Sequence, residues 1–334
     1  MSIPEKRPET PLTLVFVAPI SGRFDILAAV KILSLNGLAI SAVAAELPER
    51  EVDNFAALAP VCGDEKARSI VNATGIATRR VAAEGETALD LCCRAAEKAL
   101  PADRSSIGAL VSVGFTGARM PPPSAQAVAR LGLPSDIPAI DVHSACAGYP
   151  YGLYVAGLLA KETGRPALLL DGDVQTPFTD PADPATLAVF ADAGTATVVS
   201  PAPESKEPWR FAFLSDGLRG GALELSEGGK IRMDGFGVFR FVAQDVTRFL
   251  SDFVADAGDY DVFVPHQANA YMIRELARSI GAEERLRISC DRFGNSSSAS
   301  VPVTIATADV RRPATLLLAG FGAGLSASAA RVRF

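Results

Sequence analysis

The sequence predicts a layered α/β protein made of two related halves. Along its 334 residues, short apolar runs typical of buried strands alternate with amphipathic segments of helical spacing. The same order of elements occurs twice with similar spacing, because 31 residues separate Phe115 from Cys146 and 29 separate His266 from Asn295. We interpret this as a weak internal duplication of one βαβ-rich unit.

The first half spans residues 38–200. Residues 107–113 form a nearly continuous apolar run, which is typical of a strand buried on both faces. The segment 86–100 is apolar on one face and predicts a helix. A strand and a helix flank Cys146 within 139–161, and the helix starts at Gly148. The remaining predicted elements are strands at 39–47 and 167–171 and a helix at 124–131. Within 190–199, a turn at Ala193-Gly194 is predicted to lead into a further strand.

The second half spans residues 209–334 and follows a polar, Pro-rich linker at 201–208. It is predicted to repeat the plan of the first half. The glycine-rich turn at 320–324 would correspond to the turn at Ala193-Gly194. The predicted elements are strands at 261–265, 286–289 and 314–319, and helices at 268–280 and 298–308.

Residues 1–37 are predicted to be an N-terminal extension. A polar tail of about ten residues would precede an added strand and helix. The apolar run at 12–20 is too short to span a bilayer and contains Pro19. We therefore expect no membrane association.

Composition restricts the possible partners and location. The net charge is −6, and no block of Lys and Arg with interleaved aromatic residues occurs, which excludes a nucleic-acid binder. The five cysteines show no paired metal-ligand spacing, so no metal site is expected. Unpaired cysteines of this kind indicate a reducing, cytoplasmic compartment.

Cys146 is the first candidate nucleophile. It is predicted to lie at a tight corner between a strand and a helix, where backbone N–H groups and the positive end of the helix favour a thiolate. A free cysteine also packs as a small apolar residue, so this segment alone leaves both roles open. His143, three residues earlier, is interpreted as a structural neighbour.

Two polar residues of the second half are expected to share a pocket with Cys146. His266 and Asn295 each follow a predicted strand, in Pro-His-Gln-Ala-Asn and Gly-Asn-Ser-Ser. Equivalent strand ends of duplicated halves converge near a pseudo-twofold axis. The sequence therefore predicts a Cys-His-Asn site.

Six stretches together resemble β-ketoacyl-acyl-carrier-protein synthase III of the thiolase superfamily. Four contain the candidate residues or the glycine-rich turn, and two lie elsewhere in the two halves. They occur in the order and with the spacing of that family. In this sequence they are residues 74–82, 141–148, 233–241, 264–269, 291–300 and 320–324.

The resemblance implies a five-layered αβαβα thiolase-like fold, a homodimer and a ping-pong acyltransferase reaction. Cys146 would take an acyl group from a thioester of coenzyme A or acyl carrier protein, with no cofactor. His266 and Asn295 would then hold a malonyl thioester while CO₂ leaves and the carbanion attacks the acyl-cysteine. The backbone N–H groups of Cys146 and Ala323 would form the oxyanion hole.

The resemblance also implies a set of residues that bind substrate or carrier protein. Its members belong to the same motifs or to the helix that follows the histidine. Arg274 and Arg278 lie one turn apart on that helix, although such a pair is also common on a solvated face. The full set is Gln267, Asn269, Arg274, Arg278, Phe321, Gly322 and Gly324.

Several positions depart from the family pattern. Ser69 and Ala73 stand where a tryptophan and an arginine often contact the adenine of coenzyme A, and Tyr271 replaces an arginine associated with carrier docking. Pro122 falls where a phenylalanine of the dimer partner often closes the acyl pocket. These departures favour a specialised relative with a carrier-bound or unusual acyl donor.

Two other functions remain open from the sequence. The same fold could pass the acyl group to an oxygen or nitrogen nucleophile without decarboxylation. It could also serve as a non-catalytic partner subunit of a ketosynthase complex, although the intact set of Cys146, His266 and Asn295 argues against that role.

Overall fold

Two five-stranded sheets with helices between and outside them form the part of the chain described by the computed structural model, residues 30–116, 120–226 and 229–334. In chain order the strands are β1 Leu33–Leu35, β2 Leu38–Glu46, β3 Glu51–Asp53, β4 Thr78–Arg80, β5 Ala109–Val113, β6 Ala139–Val142, β7 Ala167–Asp173, β8 Ala193–Pro201, β9 Trp209–Ser215, β10 Leu223–Leu225, β11 Ile231–Met233, β12 Val262–Pro265, β13 Thr315–Gly322 and β14 Ser326–Arg333. The helices are α1 Asn54–Cys62, α2 Asp64–Thr74, α3 Ala88–Ala99, α4 Pro123–Arg130, α5 Gly148–Thr163, α6 Pro184–Leu187, α7 Gly235–Phe241, α8 Thr247–Ala257, α9 Ala270–Ser279, α10 Cys290–Phe293 and α11 Ser300–Thr307.

The two sheets have similar topology. The first has the order β2-β8-β7-β5-β6, in which β5 is parallel to both of its neighbours and β8 is antiparallel to both of its own. The second has the order β1-β9-β14-β13-β12, in which only the β12–β13 pair is parallel. Strands β7 and β13 are buried along their whole length. The sequence of β13 and the first four residues of β7 are almost all apolar or small, whereas β7 ends with the buried carboxyls of Asp171 and Asp173.

The elements stack in five layers. Helices α3 and α4 pack on the outer face of the first sheet. Helices α5 and α11 lie between the sheets, in an apolar core that contains residues of both. Helices α8 and α9 pack on the outer face of the second sheet. The predicted αβαβα arrangement is therefore confirmed.

The strand predicted at 286–289 is wrong. In its place a single bridge joins Leu286 to Phe263 on the free edge of β12. In the first sheet, the corresponding edge, beside β5, is occupied by a full strand, β6. The N–H groups of Ser289 and Cys290 instead donate to the Gln267 side chain, and α10 begins at Cys290. The second half thus retains this strand only as one bridged residue, and β1 adds a fifth strand at the opposite edge.

The turn predicted at Ala193-Gly194 is also wrong, because both residues lie inside β8. A Cβ on Gly194 would collide with the backbone nitrogen of Cys92. Helix α3 therefore packs directly on the strand backbone at this point. The glycine permits that close approach.

The ends of the chain segments differ in detail from the predictions. The helix predicted at 298–308 begins as a short 3₁₀ turn, Ser297–Ala299, which leads into α11. Strand β1, within the predicted extension, pairs with β9, whereas the tail and the apolar run at 12–20 lie outside the described residues.

Within the described ranges, no helix has both the length and the apolar character needed to cross a bilayer.

Candidate active site

Cys146 occupies the corner between β6 and α5 that the sequence predicts. A short 3₁₀ turn, Ala145–Ala147, makes the corner, and Ala145 has a positive φ of 39°. The thiol is 5% exposed and lies beside the N-terminus of the 16-residue helix α5. The backbone thus aims the positive end of a helix at a nearly buried sulfur.

The turn after β13 packs against this sulfur. A Cβ on Gly322 would lie 2.8 Å from the Cβ of Cys146 and 3.1 Å from its Sγ, so only glycine allows this approach. The backbone N–H groups of Ala323 and Cys146 both lower the pKa of the thiol, as nearby hydrogen-bond donors do. These are the two N–H groups predicted for the oxyanion hole.

The thiol is protonated at neutral pH in the free protein. Burial raises the pKa of Cys146 to about 11, although hydrogen bonds from Ser297 and from the two backbone N–H groups oppose this shift. The negative charge of nearby Asp173 raises it further. Cys146 therefore needs help from its surroundings to become a good nucleophile.

His266 follows β12 and is 2% exposed. Its Nδ1 lies 3.0 Å from the carbonyl oxygen of Ser297 and 2.9 Å from Ser300 Oγ. Because a carbonyl only accepts, this network assigns the hydrogen of the neutral ring to Nδ1 and leaves a lone pair on Nε2. Burial lowers the pKa of His266 to about 4, so the ring is neutral at physiological pH.

Asn295 lies next to His266 and is 4% exposed. Its Oδ1 accepts from the N–H of Ser297 at 2.9 Å, which fixes the orientation of the amide. Its Nδ2 then faces His266 Nε2 at 3.5 Å. The Nδ2–H donor of Asn295 and the Nε2 lone pair of His266 therefore face the same point of the pocket.

Ser297 joins all three predicted residues, and the sequence predictions missed it. Its N–H donates to Asn295, its carbonyl accepts from His266, and its hydroxyl donates to Cys146 Sγ over 3.9 Å. It is fully buried with φ at 57°, a conformation that costs energy in a residue other than glycine. Its position two residues after Asn295 was the available signal.

The structure argues against direct substrate contact by Gln267. The side chain is fully buried. Its Nε2 donates to the carbonyls of Pro265 and Arg287, and its Oε1 accepts from the N–H groups of Ser289 and Cys290. These bonds occupy both the Nε2 and the Oε1 of the amide, so the Gln267 side chain holds in place the loop that carries His266.

Asn269 caps the helix that follows His266. Its Oδ1 accepts from the N–H of Met272 at 2.8 Å, which is the geometry of an N-cap. Nearby Phe321 is 1% exposed and meets the His266 ring edge-on, with 5.4 Å between ring centroids. Both predicted binding residues therefore shape the site around the histidine.

Arg274 and Arg278 lie on the exposed face of α9. Arg278 pairs with Glu275 at 2.6 Å, with both side chains largely in solvent. Tyr271, on the same helix, is 54% exposed and stacks on Phe239 of α7, with 6.4 Å between the ring centroids. Phe236, three residues before Phe239 on α7, is 76% exposed. An aromatic patch of Phe236, Phe239 and Tyr271 therefore accompanies the two arginines.

The remaining positions singled out in the sequence lie outside the buried cluster. Gly324, in the turn beside Cys146, is exposed at a φ of 74°, and a Cβ placed on it would meet no atom within 4 Å. Ser69 and Ala73 are exposed on α2. His143 is exposed, bonds the carbonyl of Gly114 through Nδ1 at 2.7 Å, and lines a cavity of about 510 Å³ near the end of β5. Its predicted role as a structural neighbour stays a prediction.

The cluster can perform acyl transfer through sulfur. It combines a cysteine, two backbone donors at the sulfur, a neutral histidine and an oriented amide in a nearly dry pocket. Backbone donors suit the tetrahedral oxyanion formed when the thiol attacks a thioester. Among the described residues, no group of His, Cys, Asp and Glu side chains has the arrangement of a metal site.

Comparison with protein families gives two matches. Residues 140–217 match the model of 3-oxoacyl-[acyl-carrier-protein] synthase III, and residues 254–334 match the model of its C-terminal part. The first match contains Cys146, and the second contains His266 and Asn295.

Individual relatives extend the similarity over most of the chain. A β-ketoacyl-[acyl-carrier-protein] synthase III of Vibrio vulnificus is 34% identical over 289 residues, which cover 79% of this chain and 90% of the relative. One of Rhizorhabdus wittichii is 34% identical over 311 residues, which cover 86% and 96%.

Solved structures show the same architecture. A 3-oxoacyl-(acyl-carrier protein) synthase of Burkholderia xenovorans superposes with a TM-score of 0.87 at 29% identity, covering 91% of this chain and 96% of that one. The priming β-ketosynthase of the R1128 polyketide pathway superposes with a TM-score of 0.81 at 28% identity, covering 92% and 99%.

Proposed function

The chain belongs to the 3-oxoacyl-[acyl-carrier-protein] synthase III family, and from this premise we propose that it is an acyltransferase that condenses an acyl thioester with a malonyl thioester and releases CO₂. The product serves fatty-acid or polyketide synthesis, the two contexts of its relatives. The observation that carries the proposal is the convergence of Cys146, His266 and Asn295 on Ser297.

The first step loads the acyl group onto Cys146. The sulfur attacks the thioester carbonyl, and the oxyanion that forms accepts hydrogen bonds from the N–H groups of Cys146 and Ala323. Collapse of this intermediate breaks the bond between the carbonyl carbon and the sulfur of the acyl donor. That thiol leaves with the proton that Cys146 has lost, so the step is balanced as a thioester exchange.

The second step decarboxylates the malonyl thioester. Loss of CO₂ leaves an enolate, and the Asn295 Nδ2–H group can donate to its oxygen. For His266 to donate from Nε2 as well, the ring must take its other tautomer. Ser300 Oγ then becomes the donor to Nδ1, which the 2.9 Å distance permits.

The third step forms the carbon–carbon bond. The enolate carbon attacks the carbonyl of acyl-Cys146, and the same two backbone N–H groups hold the new oxyanion. Collapse expels the Cys146 thiolate, which takes up one proton. The products are a 3-oxoacyl thioester, CO₂ and the regenerated thiol.

Intact-protein mass spectrometry tests this proposal. A panel of acyl thioesters should include one that adds its acyl mass to the wild-type protein and none that adds mass to Cys146→Ala. Labelled CO₂ should then appear from malonyl thioester. Acyl transfer without CO₂ would indicate an acyltransferase to oxygen or nitrogen, and absence of any acyl mass would indicate a non-catalytic partner subunit.

We further propose that the acyl donor is bound to a carrier protein rather than to coenzyme A. In support, the exposed α2 positions Ser69 and Ala73 offer neither an aromatic ring nor a cation to an adenine. Loading rates from one acyl group on both carriers test this directly. Faster loading from the coenzyme A thioester would contradict it.

A homodimer is the assembly that we propose, and β6 is its candidate contact. Among the described strands, β6 pairs only with β5, so its outer edge offers unpaired backbone groups, and Ile140 on it is 39% exposed. Two such edges could pair around a twofold axis. Sedimentation equilibrium should give twice the chain mass, and Ile140→Pro should lower it towards the monomer.

The location that we propose is the cytoplasm. All five cysteines are free thiols in the structure, which suits a reducing compartment. Fractionation of the native host, with the protein detected by antibody, would test this proposal.

A further inference from the structure

The hydroxyl of Ser297 lies between the sulfur of Cys146 and a buried carboxyl. It donates towards Cys146 Sγ at 3.9 Å. Ser297 also lowers the pKa of buried Asp173, the last residue of β7, as a nearby hydrogen-bond donor does. One hydroxyl hydrogen therefore has two possible acceptors, and only one of them can receive it at a time.

Asp173 is fully buried, and its two oxygens differ. Oδ1 accepts three hydrogen bonds of about the same length, from the N–H of Phe115 at 2.9 Å and from the N–H and hydroxyl of Thr116 at 3.0 and 2.9 Å. Oδ2 has no partner of normal geometry within the described ranges. When the carboxyl is protonated, its proton is therefore on Oδ2, because Oδ1 already accepts hydrogen bonds from Phe115 and Thr116.

The protonation of Asp173 decides which acceptor Ser297 serves. An ionised carboxylate is the stronger acceptor and draws the hydroxyl hydrogen away from the sulfur. A protonated carboxyl donates to Ser297 Oγ and frees the hydroxyl hydrogen for Cys146. Burial raises the pKa of Asp173 to about 6, although hydrogen bonds from Thr116, Phe115 and Ser297 oppose this shift. Both states are therefore accessible near neutral pH.

We propose that Asp173, acting through the hydroxyl of Ser297, sets the nucleophilicity of Cys146. Both are positioning residues for the loading step. The proposal rests on the function proposed above only for the assignment of Cys146 as the acylated residue. It adds two residues to the reaction, of which Ser297 lies in the motif at 291–300 and Asp173 lies in none of the six motifs.

The proton balance of this arrangement is simple. In one state, Cys146 is a thiol, and Ser297 donates to the Asp173 carboxylate. In the other, Asp173 has taken up a proton from solvent and donates it from Oδ2 to Ser297 Oγ, so that Ser297 donates to the Cys146 sulfur. The carboxyl therefore restrains the thiol when it is ionised and releases it when it is protonated or replaced by an amide. In the loading step Cys146 still gives its own proton to the thiol that leaves the acyl donor.

Other titratable groups surround this path. Asp171, two residues earlier on β7, is also buried, but its Oδ1 accepts from Ser298 at 2.7 Å and not from Ser297. Cys92 approaches from α3, where burial raises its pKa above the range of ordinary thiols. Burial likewise raises the pKa of Asp171 well above its usual value. Asp171 thus provides a matched control, a buried carboxyl that bonds the neighbouring serine.

The experiment measures the rate at which iodoacetamide alkylates Cys146 at pH 7.5. Peptide mass spectrometry follows the alkylated fraction with time. Asp173→Asn keeps the Oδ1 acceptor for Phe115 and Thr116 and supplies an amide N–H in the place of the protonated acid. Alkylation should be about tenfold faster than in the wild type. In the double variant Asp173→Asn/Ser297→Ala it should be about threefold to tenfold slower than in Asp173→Asn, because the donor to sulfur is lost.

The double variant distinguishes the proposed path from a simple charge effect. In the Ser297→Ala background, Asp173→Asn should accelerate alkylation by no more than about twofold. Asp171→Asn should stay within about twofold of the wild type. If Ser297→Ala does not fold, Ser297→Gly, which suits a φ of 57°, replaces it.

Two results would overturn the proposal. Alkylation of Asp173→Asn that is unchanged or slower would show that the carboxyl does not restrain the thiol. An equal acceleration with and without the Ser297 hydroxyl would show that the charge acts through space alone. Because iodoacetamide needs no acyl donor, failure of acyl loading with the expected alkylation pattern would reject the proposed function and leave this inference standing.

Discussion

The buried cluster of Cys146, His266 and Asn295 contrasts with the exposed residues of α9 that face the solvent. Each member of the cluster is at most 5% exposed and bonds to backbone or side-chain groups of distant elements. On α9, Tyr271 is 54% exposed, and the ion pair of Arg278 lies largely in solvent. The first region is held by many fixed contacts, and the second by few.

This difference predicts that substitutions in the two regions have effects of different size. A group that must meet a developing charge has to be held in place by its neighbours, since reorganisation during the reaction would cost energy. A surface that receives a carrier tolerates substitution, because an exposed charge pair contributes only about 0–1 kcal/mol. The following variants test this contrast.

Asn295→Ala should give the largest effect. Removal of one oriented donor from a dry site should lower CO₂ release from malonyl thioester by about 10²–10³-fold. Acylation of Cys146, which uses the backbone donors of Cys146 and Ala323, should continue. Parallel assays of labelled CO₂ and of acyl mass would measure both steps, and an equal loss of loading would contradict the division of roles.

Buried His266 should make stability depend on pH. Burial lowers the pKa of His266 from 6.5 to about 4. Between these two values the unfolded state binds a proton that the folded state does not bind. The contribution of neutral His266 to the unfolding free energy is therefore fully present above pH 6.5 and is lost as the pH falls towards 4. Between pH 7 and pH 4 the wild type should lose about 3 kcal/mol more unfolding free energy than His266→Asn.

Urea unfolding at several pH values would measure this difference. Equal slopes of unfolding free energy against pH for the wild type and His266→Asn would mean that the ring is not buried as a neutral group. The exposed His143 provides the control, and His143→Asn should follow the wild type.

Gly322→Ala should disturb the sulfur without touching the histidine. Its Cβ would meet the Cβ of Cys146 at 2.8 Å and must displace the thiol or the turn. Misplacement of this size should slow acyl loading by about tenfold to thirtyfold. Gly324→Ala is the matched control, since its Cβ meets no atom within 4 Å, and loading close to wild type is expected there.

Charge reversal on α9 should have the smallest effect. Arg274→Glu should raise KM for a carrier-bound thioester by about threefold to fivefold, and Arg278→Glu by less, because Arg278 is already paired with Glu275. Neither should change KM for a short thioester without a carrier. Steady-state kinetics with both donors would measure this, and equal effects on both would place these arginines in the catalytic region instead.

Most of the fold follows from local sequence pattern. The buried runs of β5 and β7, and the one-sided helix α3, have the periodicity of their elements. The two failures, at 286–289 and at Ala193-Gly194, have tertiary causes. In one, Gln267 takes the hydrogen bonds that a strand would use, and in the other α3 packs on the strand backbone.

The sequence by itself determined the alternation of strands and helices, the corner that presents Cys146, and the motifs that contain His266 and Asn295. Only the tertiary structure decided the Nδ1–H tautomer of His266, the bracing role of Gln267, and the position of Ser297 between Cys146 and Asp173. The physical reason is that local pattern fixes the direction of each element. Hydrogen bonds between residues distant in the chain depend on how β7, β12 and the Ser297 turn pack together, and no single segment contains that information.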